Sequence, residues 1–353
     1  MTILRERGFS LVEVMVAMLI GLIGTIIIFQ VFAISEAQKR STTGVSDAQQ
    51  NGLLALFTLE REARLSGYGV NYEPLLGCTV RAYDGGPPVR GDFTFTLAAV
   101  QITNGAGGAP DSLTFVYGSS NLSVQPAKLY SASNAASAMT QVDNRFGYLK
   151  NDLILLGELS KDCTLRMISN LPTGGAGDLQ IEHNAGRYNK GGGIPVGYST
   201  WDNTANSGGR LYSLGAAPQV VTYSIANATL QEVNLLTGNT PSPLIDGIVQ
   251  LQAEYGKDTD AVPDGTVDTW NNVTPTNAAE WASVIAVRIA VVARSGTPEK
   301  PNPTTFACDV TTTPPTWKGG TQISLAADAD WQCYRYRTFE TVVPIRNLIW
   351  KPE

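Results

Sequence analysis

The feature that most limits how this chain can fold is an apolar run near its N-terminus. From Val14 to Ile34 the sequence contains no formally charged residue. A helix of that length spans roughly 31 Å, about the thickness of the hydrocarbon core of a bilayer. The run is too long for the core of an ordinary secretory signal, and no small-residue cleavage site follows it. The sequence therefore predicts a membrane-spanning helix.

Charged residues at the start of this run add two constraints. Arg5 and Arg7 place the N-terminus in the cytoplasm and the later residues outside, although Glu6 between them weakens this bias. Glu13 lies at the start of the apolar helix, where a carboxylate costs several kcal/mol unless it is paired or reaches the interface. We expect a positive partner for Glu13. A carboxylate that reaches the headgroups without a partner is the alternative.

The junction before the apolar run resembles a known processing signal. The segment Arg7-Gly8-Phe9-Ser10-Leu11-Val12-Glu13 is similar to the class III signal of type IV prepilins and pseudopilins. That resemblance implies that a membrane-embedded peptidase cuts after Gly8 and that the new N-terminal residue, Phe9, is N-methylated. It also implies that the amine of Phe9, in the same or a neighbouring subunit, is the partner of Glu13 during filament assembly.

The helical pattern continues beyond the apolar run to about Leu65 and becomes amphipathic. Apolar residues recur there at helical spacing, and we expect their face to pack on a globular domain. The residues of this predicted face are Leu53, Leu56, Phe57, Leu59 and Ala63. Gly44 is a candidate interruption of the helix, and Gly67 is a candidate stop.

The sequence after Gly67 is typical of antiparallel β-structure. Only 16% of the chain is charged, and 35 Gly and 19 Pro residues accompany many short β-branched runs separated by turn-forming residues. Two polar segments, 184–209 and 297–318, are predicted to be surface loops or insertions. The predicted fold class is α+β, with a long N-terminal helix packed on an antiparallel β-rich domain.

Four further segments resemble the PilW-like minor pilins. They are Glu60 to Gly69, Asp246-Gly247-Ile248, Val287 to Ser295 and Tyr336 to Asn347. The resemblance implies a chain with four parts: a prepilin leader (1–8), a membrane-spanning half-helix (9–34), an amphipathic periplasmic half-helix (35–66) and a pilin-like globular domain (67–353).

This resemblance also implies a function. The expected protein is a minor pilin of the inner membrane and the pilus that helps to initiate pilus assembly within a minor-pilin complex at the tip. Its expected partners are other minor pilins, the major pilin, the prepilin peptidase and the inner membrane. A minor pseudopilin of type II secretion and a pilus-tip adhesin are the alternatives. An enzyme is not expected, and the net charge of −6 argues against nucleic acid as a partner.

The four cysteines, Cys78, Cys163, Cys308 and Cys333, have no metal-binding spacing. Their wide, even distribution predicts disulfides in an oxidising compartment. Of the three possible connectivities we favour Cys78 with Cys163 and Cys308 with Cys333, because the second pair flanks one polar insertion. The chain has a single histidine, His183, which we expect to be an ordinary surface or loop residue.

One acidic segment is a candidate metal site. Four carboxylates surround a turn-forming glycine within a short stretch: Asp258, Asp260, Asp264 and Asp268. Clustered oxygen ligands suit Ca²⁺ better than softer metals, although the spacing departs from an EF-hand loop. An ordinary Asp- and Gly-rich turn between strands is the competing interpretation.

Overall fold

The computed structural model describes residues 10–349 apart from residues 71, 121, 123–124, 135, 194–195, 303 and 326–327. Helix α1 covers Leu11–Leu65. Its first turn is capped by Ser10, whose side chain accepts a hydrogen bond from the backbone N–H of Glu13. The bounds predicted for this helix are confirmed to within a few residues.

Two glycines mark how α1 continues and ends. The helix passes through Gly44 without a break, so the predicted interruption is wrong. At Gly44 the helix packs closely against the chain after β16, since a Cβ atom there would lie 3.0 Å from the Cβ of Ser295. After Ser66 the chain leaves the helix at Gly67, whose φ of 81° lies in the left-handed region that favours glycine. Asn347 donates its amide N–H to the carbonyl of Ser66, 2.9 Å away.

The remaining described residues form a β-rich domain. Its strands in chain order are β1 (Thr79–Asp84), β2 (Gly91–Thr96), β3 (Val100–Thr103), β4 (Ser112–Tyr117), β5 (Ala127–Lys128), β6 (Met139–Gln141), β7 (Leu153–Gly157), β8 (Cys163–Met167), β9 (Gln180–Glu182), β10 (Arg210–Gly215), β11 (Gln219–Ala226), β12 (Thr229–Asn234), β13 (Ser242–Asp246), β14 (Ile248–Lys257), β15 (Thr269–Asn271), β16 (Val284–Arg294), β17 (Thr316–Trp317), β18 (Thr321–Gln322) and β19 (Tyr336–Pro344). Two short helices, α2 (Ala278–Ala282) and α3 (Arg346–Ile349), and four 3₁₀ turns at Glu73–Leu75, Ala106–Gly108, Gly175–Leu179 and Trp331–Cys333 complete the described elements.

The strands form three larger sheets. Their orders are β2-β1-β8-β7-β10-β5, β13-β12-β11-β4-β3 and β15-β14-β16-β19. The last two are antiparallel throughout, and the first contains one parallel pair, β1 with β8. The prediction of a long helix followed by an antiparallel β-rich domain is therefore confirmed, with that one parallel exception.

Two regions of the domain can be distinguished by their cores. The helix-docked region consists of the four- and five-stranded sheets, and its core cluster includes Ala55 and Leu59 of α1. The lobe consists of the six-stranded sheet with the connections between β4 and β10, and its apolar cores contain no residue of α1. The helix thus packs on the helix-docked region, while the larger core of the lobe also includes Val116 of β4 and Val220 of β11.

The two polar segments predicted as loops connect strands, but they are not confined to the surface. Residues 184–209 run from β9 to β10 and bury Tyr198, whose hydroxyl donates a hydrogen bond to the carbonyl of Asp162. In the second segment, Trp317 of β17 packs on Ala290 and Val292 of β16. Each segment therefore covers part of a sheet with an aromatic residue.

Candidate functional site

No described part of the domain packs against the N-terminal half of α1. Within the described residues, α1 is the one helix long and apolar enough to cross a membrane, and its most apolar stretch is 0% buried, with a mean hydropathy of 2.6. Large apolar side chains project on all sides, as for Phe29 (71% exposed) and Phe32 (69% exposed). Such a surface is stable only in lipid or against other apolar helices.

The processing and assembly residues lie at the start of this half. Gly8 and Phe9 fall outside the described residues, so the predicted cleavage, the N-methylation and the pairing with Glu13 stay predictions. Glu13 is exposed in the first turn, and among the described residues no cation lies within ion-pair distance of its carboxylate. The Glu13 carboxylate therefore still requires a positive partner from outside the described residues.

The outer half of α1 packs through a stripe of mostly small residues. The buried residues of this stripe are Ala48, Gly52, Ala55, Leu59 and Ala63. They let the helix approach the four-stranded sheet so closely that a Cβ on Gly52 would lie 2.1 Å from the ring of Phe339. The predicted packing face is partly wrong: Leu59 and Ala63 are buried, but Leu53 and Phe57 point away from the domain.

The opposite side of the outer half is an exposed apolar face, formed by Leu53, Leu54 and Phe57. These side chains are 51%, 54% and 63% exposed. They follow the apolar membrane half on the same continuous helix. Three large apolar side chains exposed together on a helix, with no partner among the residues that the structure describes, are typical of a surface that binds another protein.

Glu62 fixes the rotation of the helix on the domain. Its side chain is almost fully buried, and its Oε1 atom lies 2.8 Å from a guanidinium nitrogen of Arg61. The hydroxyl of Tyr117 donates a hydrogen bond of 2.7 Å to the other carboxylate oxygen. Burial, with the hydrogen bond to Glu62, raises the pKa of Tyr117. This contact could not be predicted, since nothing near Glu62 in the sequence indicates a partner on β4.

The acidic segment brings three of its four aspartates together. Carboxylate oxygens of Asp258, Asp260 and Asp268 lie within 4.8 Å of one another, and Asp264 is not part of this group. The negative charge of Asp268, followed by slight burial and the other two aspartates, raises the pKa of Asp260. A divalent cation would relieve this repulsion.

Backbone groups already hold part of this cluster. Asp258 is buried and accepts a hydrogen bond of 2.8 Å from the N–H of Gly265, while Asp268 accepts one of 2.6 Å from the N–H of Thr259. The loop borders a cavity of about 800 Å³ that is also lined by Glu73 and Glu280. The geometry is therefore compatible both with a cation site and with a turn stabilised by its own hydrogen bonds.

The cysteines form the two disulfides that the sequence favoured. Cys78 is bonded to Cys163 with their Cα atoms 5.9 Å apart, and Cys308 is bonded to Cys333 with their Cα atoms 4.8 Å apart. The first bond lies in the lobe, and the second closes the insertion between β16 and β19. Each region therefore has its own covalent link.

His183 lies in a loop just after β9, as predicted, but it is buried, so the surface part of the prediction is wrong. Its Nε2 atom lies 2.9 Å from the hydroxyl oxygen of Thr140. Burial, together with the positive charge of Arg166, lowers the pKa of His183 to about 4. The imidazole is therefore neutral at physiological pH, and its position is that of a core residue of the lobe.

Comparisons with known proteins find two family models that match parts of this chain. Among solved structures, one match is a type IV-like pilin from Thermus thermophilus, with 10% sequence identity. The match covers 85% of this chain and 96% of that pilin, and its TM-score is 0.31. Because this TM-score is low, nothing about the fold is concluded from the match. No curated protein matches the sequence. Residues 3–29 match the family model of the prokaryotic N-terminal methylation motif, and residues 213–347 match that of type IV pilus-assembly protein W. The two matches lie at the apolar N-terminal helix and at the strands on which this helix docks, and they make the chain similar to type IV pilus-assembly protein W and to proteins with the N-terminal methylation motif.

Proposed function

We propose that this protein is a minor pilin that helps to initiate type IV pilus assembly as part of a priming complex at the pilus tip. The observation that carries the proposal is the exposed apolar face of α1, Leu53, Leu54 and Phe57, which continues the apolar surface of the membrane half. A helix with one face docked on its own domain and another left open is suited to pack against the helices of neighbouring subunits.

The proposed assembly step depends on charge neutralisation. Cleavage after Gly8 creates a positive amine at Phe9, and Glu13 of a neighbouring subunit accepts it in the low dielectric of the membrane. Each charge alone is costly there, whereas the pair in register is tolerated. Glu13 therefore selects one register of an incoming helix among the many that apolar packing alone would allow.

The proposed location is the inner membrane before assembly, with the globular domain in the periplasm, and the pilus afterwards. Two disulfides support an oxidising compartment for the domain. Arg5 and Arg7 before the apolar run support a cytoplasmic leader. The proposed role is structural, with the prepilin peptidase, the major pilin and other minor pilins as partners.

Replacing Glu13 tests the assembly step. In Glu13→Ala we expect normal removal of the leader but loss of incorporation, because the amine of the neighbour lacks its acceptor. Processing is read from the mass of the mature chain, and incorporation from immunoblots of sheared pili. Glu36→Ala, an exposed glutamate on the same helix beyond the apolar run, is the matched control. Normal incorporation of Glu13→Ala would refute this mechanism.

A deletion strain separates the alternatives. Loss of pili supports the priming role, loss of type II secretion would indicate a pseudopilin, and intact pili that no longer attach would indicate an adhesin.

We propose separately that Asp258, Asp260 and Asp268 bind Ca²⁺, since their oxygens converge and repel one another. Calcium added to the full-length chain in detergent should raise its melting temperature, with a Kd on the order of 0.1–1 mM as in extracellular calcium modules. Asp268→Asn should abolish the shift. Asp264→Asn, just outside the group, should retain it. An unchanged melting temperature at saturating calcium would leave the ordinary turn as the better interpretation.

A further inference from the structure

The lobe contains an arginine whose guanidinium group lacks an acceptor. The Cζ atom of Arg210 lies 4.5 Å from the ring centre of Tyr72 and 4.1 Å from that of Trp201, so the guanidinium contacts two aromatic rings. Over the described residues, this group donates no hydrogen bond and forms no ion pair, and its Nε atom is buried. A buried donor without an acceptor costs about 1–3 kcal/mol. Packing alone is therefore a poor reason for an arginine at this position.

A small cavity lies against Arg210. Its volume is about 80 Å³. That is roughly the space of two or three water molecules, enough for a carboxylate group but not for a whole sugar ring. Its other walls include Tyr72, Leu75, Glu158, Leu159, Trp201 and Ser207. A ligand that places a carboxylate here would keep the rest of its structure at the rim.

The charges around the cavity favour an anion. Glu158, the acidic residue of the wall, is compensated by Lys161 at 2.9 Å and by the N–H of Ser199 at 2.7 Å. Lys128 adds a second positive charge, 5.0 Å from the ring centre of Trp201. The guanidinium of Arg210 is thus the cation left for a ligand, and its fork of N–H groups matches the two oxygens of a carboxylate.

The rim indicates what the carboxylate is attached to. Residues 202–207 form an exposed, polar turn beside the cavity, in which Asn206 and Ser207 present amide and hydroxyl groups. Such groups form hydrogen bonds with ring hydroxyls. Docking of a protein surface would instead call for a larger apolar patch around the pocket.

We propose that this pocket binds the carboxylate of an acidic sugar, with Arg210 as the anion-binding residue and the turn 202–207 contacting the sugar hydroxyls. This binding activity lies outside the assembly function of α1. Its failure would leave the proposed role in pilus assembly unaffected.

Calorimetric titration of the full-length chain in detergent tests the proposal. We expect glucuronate to bind with a Kd on the order of 1 mM, acetate more weakly, and glucose not at all. Arg210→Gln should weaken glucuronate binding at least about tenfold, because a charge-assisted pair is lost. Arg337→Gln changes an exposed arginine on β19, outside the lobe, and should bind as the wild type does.

A second variant tests the cavity without altering the aromatic contacts. Leu159 is 60% exposed at the rim, so Leu159→Glu should preserve the melting temperature while repelling a carboxylate. Any of three results would overturn the proposal: equal binding of glucose and glucuronate, unchanged binding in both variants, or binding of acidic peptides with no binding of glucuronate. Acetate that binds as tightly as glucuronate would overturn the assignment to a sugar.

Discussion

The helix-docked region and the lobe differ in what they leave at the surface. In the helix-docked region, the unpartnered groups are the apolar side chains of α1, and the PilW family match begins at residue 213, so that it covers β14, β16 and β19. In the lobe, the guanidinium of Arg210 has no hydrogen-bond acceptor among the described residues. An apolar face needs another apolar surface, whereas a half-buried cation needs an anion. The proposed assembly contact and the proposed ligand binding should therefore be separable by mutation, and four predictions compare the two regions.

The largest effect is expected on the exposed face of α1. Phe57→Glu should abolish incorporation into pili, because a carboxylate would have to be buried between helices. The folding of the domain should be unchanged, since Phe57 is 63% exposed. Incorporation is measured by immunoblots of sheared pili, and the melting temperature of the purified chain by circular dichroism.

Gln49→Glu is the matched control for Phe57→Glu, because it places the same charge at an exposed polar position two turns earlier. It should assemble normally. If Phe57→Glu is also incorporated into pili normally, the exposed face of α1 is not an assembly surface.

The two disulfides should differ in their contribution to stability. Cys78–Cys163 closes 85 residues and Cys308–Cys333 closes 25. In the chain-entropy model, their removal costs about 4.6 and about 3.5 kcal/mol. Cys78→Ala/Cys163→Ala should therefore unfold at lower urea concentration than Cys308→Ala/Cys333→Ala. The reverse order would indicate that strain or residual structure in the unfolded chain dominates.

The lobe should lose stability in acid through His183. The folded state has a pKa of about 4, below the ordinary value of 6.5, so protons bind preferentially to the unfolded state. Stability is intact above pH 6.5 and falls as the pH drops towards 4, by about 3 kcal/mol in total. Urea unfolding at several pH values measures this loss.

His183→Gln is the comparison that isolates this loss, because other groups titrate in the same range. Burial raises the pKa of Asp152, for example, which favours the folded state as the pH falls. The free energy of unfolding of the wild type, relative to that of His183→Gln, should fall as the pH drops from 6.5 to 4. A constant difference would mean that His183 is protonated as easily in the fold as in the unfolded chain.

The smallest change in stability is expected where α1 packs on the four-stranded sheet. Gly52→Ala should destabilise the chain by about 1–3 kcal/mol through overpacking against Phe339, which outweighs the helix propensity of about 1 kcal/mol that alanine adds. Phe339→Leu should restore part of the loss. Gly44→Ala, whose nearest neighbour lies at 3.0 Å, should cost less. A more stable Gly52→Ala variant would contradict close packing at this point.

The long helix and its membrane half could be predicted because their signals are local. The absence of charge from Val14 to Ile34 and the stop at Gly67 are properties of neighbouring residues. The β-rich character of the domain and the pairing of the cysteines followed from composition and from positions along the chain.

The packing face of α1 could be predicted only in part, because two apolar faces compete on the same helix. The sequence placed five residues on one docking face, of which Leu56, Leu59 and Ala63 pack on the core. Leu53 and Phe57 of that face are exposed. The four-stranded sheet instead packs on the stripe that contains Gly52 and Ala55, since small residues allow closer approach of the backbones and a larger contact area. The sheet on which this face packs is built from strands that begin roughly 190 to 280 residues later in the chain.

The sequence by itself determined that this chain has a membrane helix with a prepilin-like start and a β-rich domain, because hydrophobicity and turn chemistry act over short distances. Only the tertiary structure decided which face of α1 stays open, that His183 and Glu62 are buried, and that Tyr72, Trp201 and Arg210 meet at one cavity. Contacts between residues far apart in the chain depend on sheet order and register, and no local pattern specifies these.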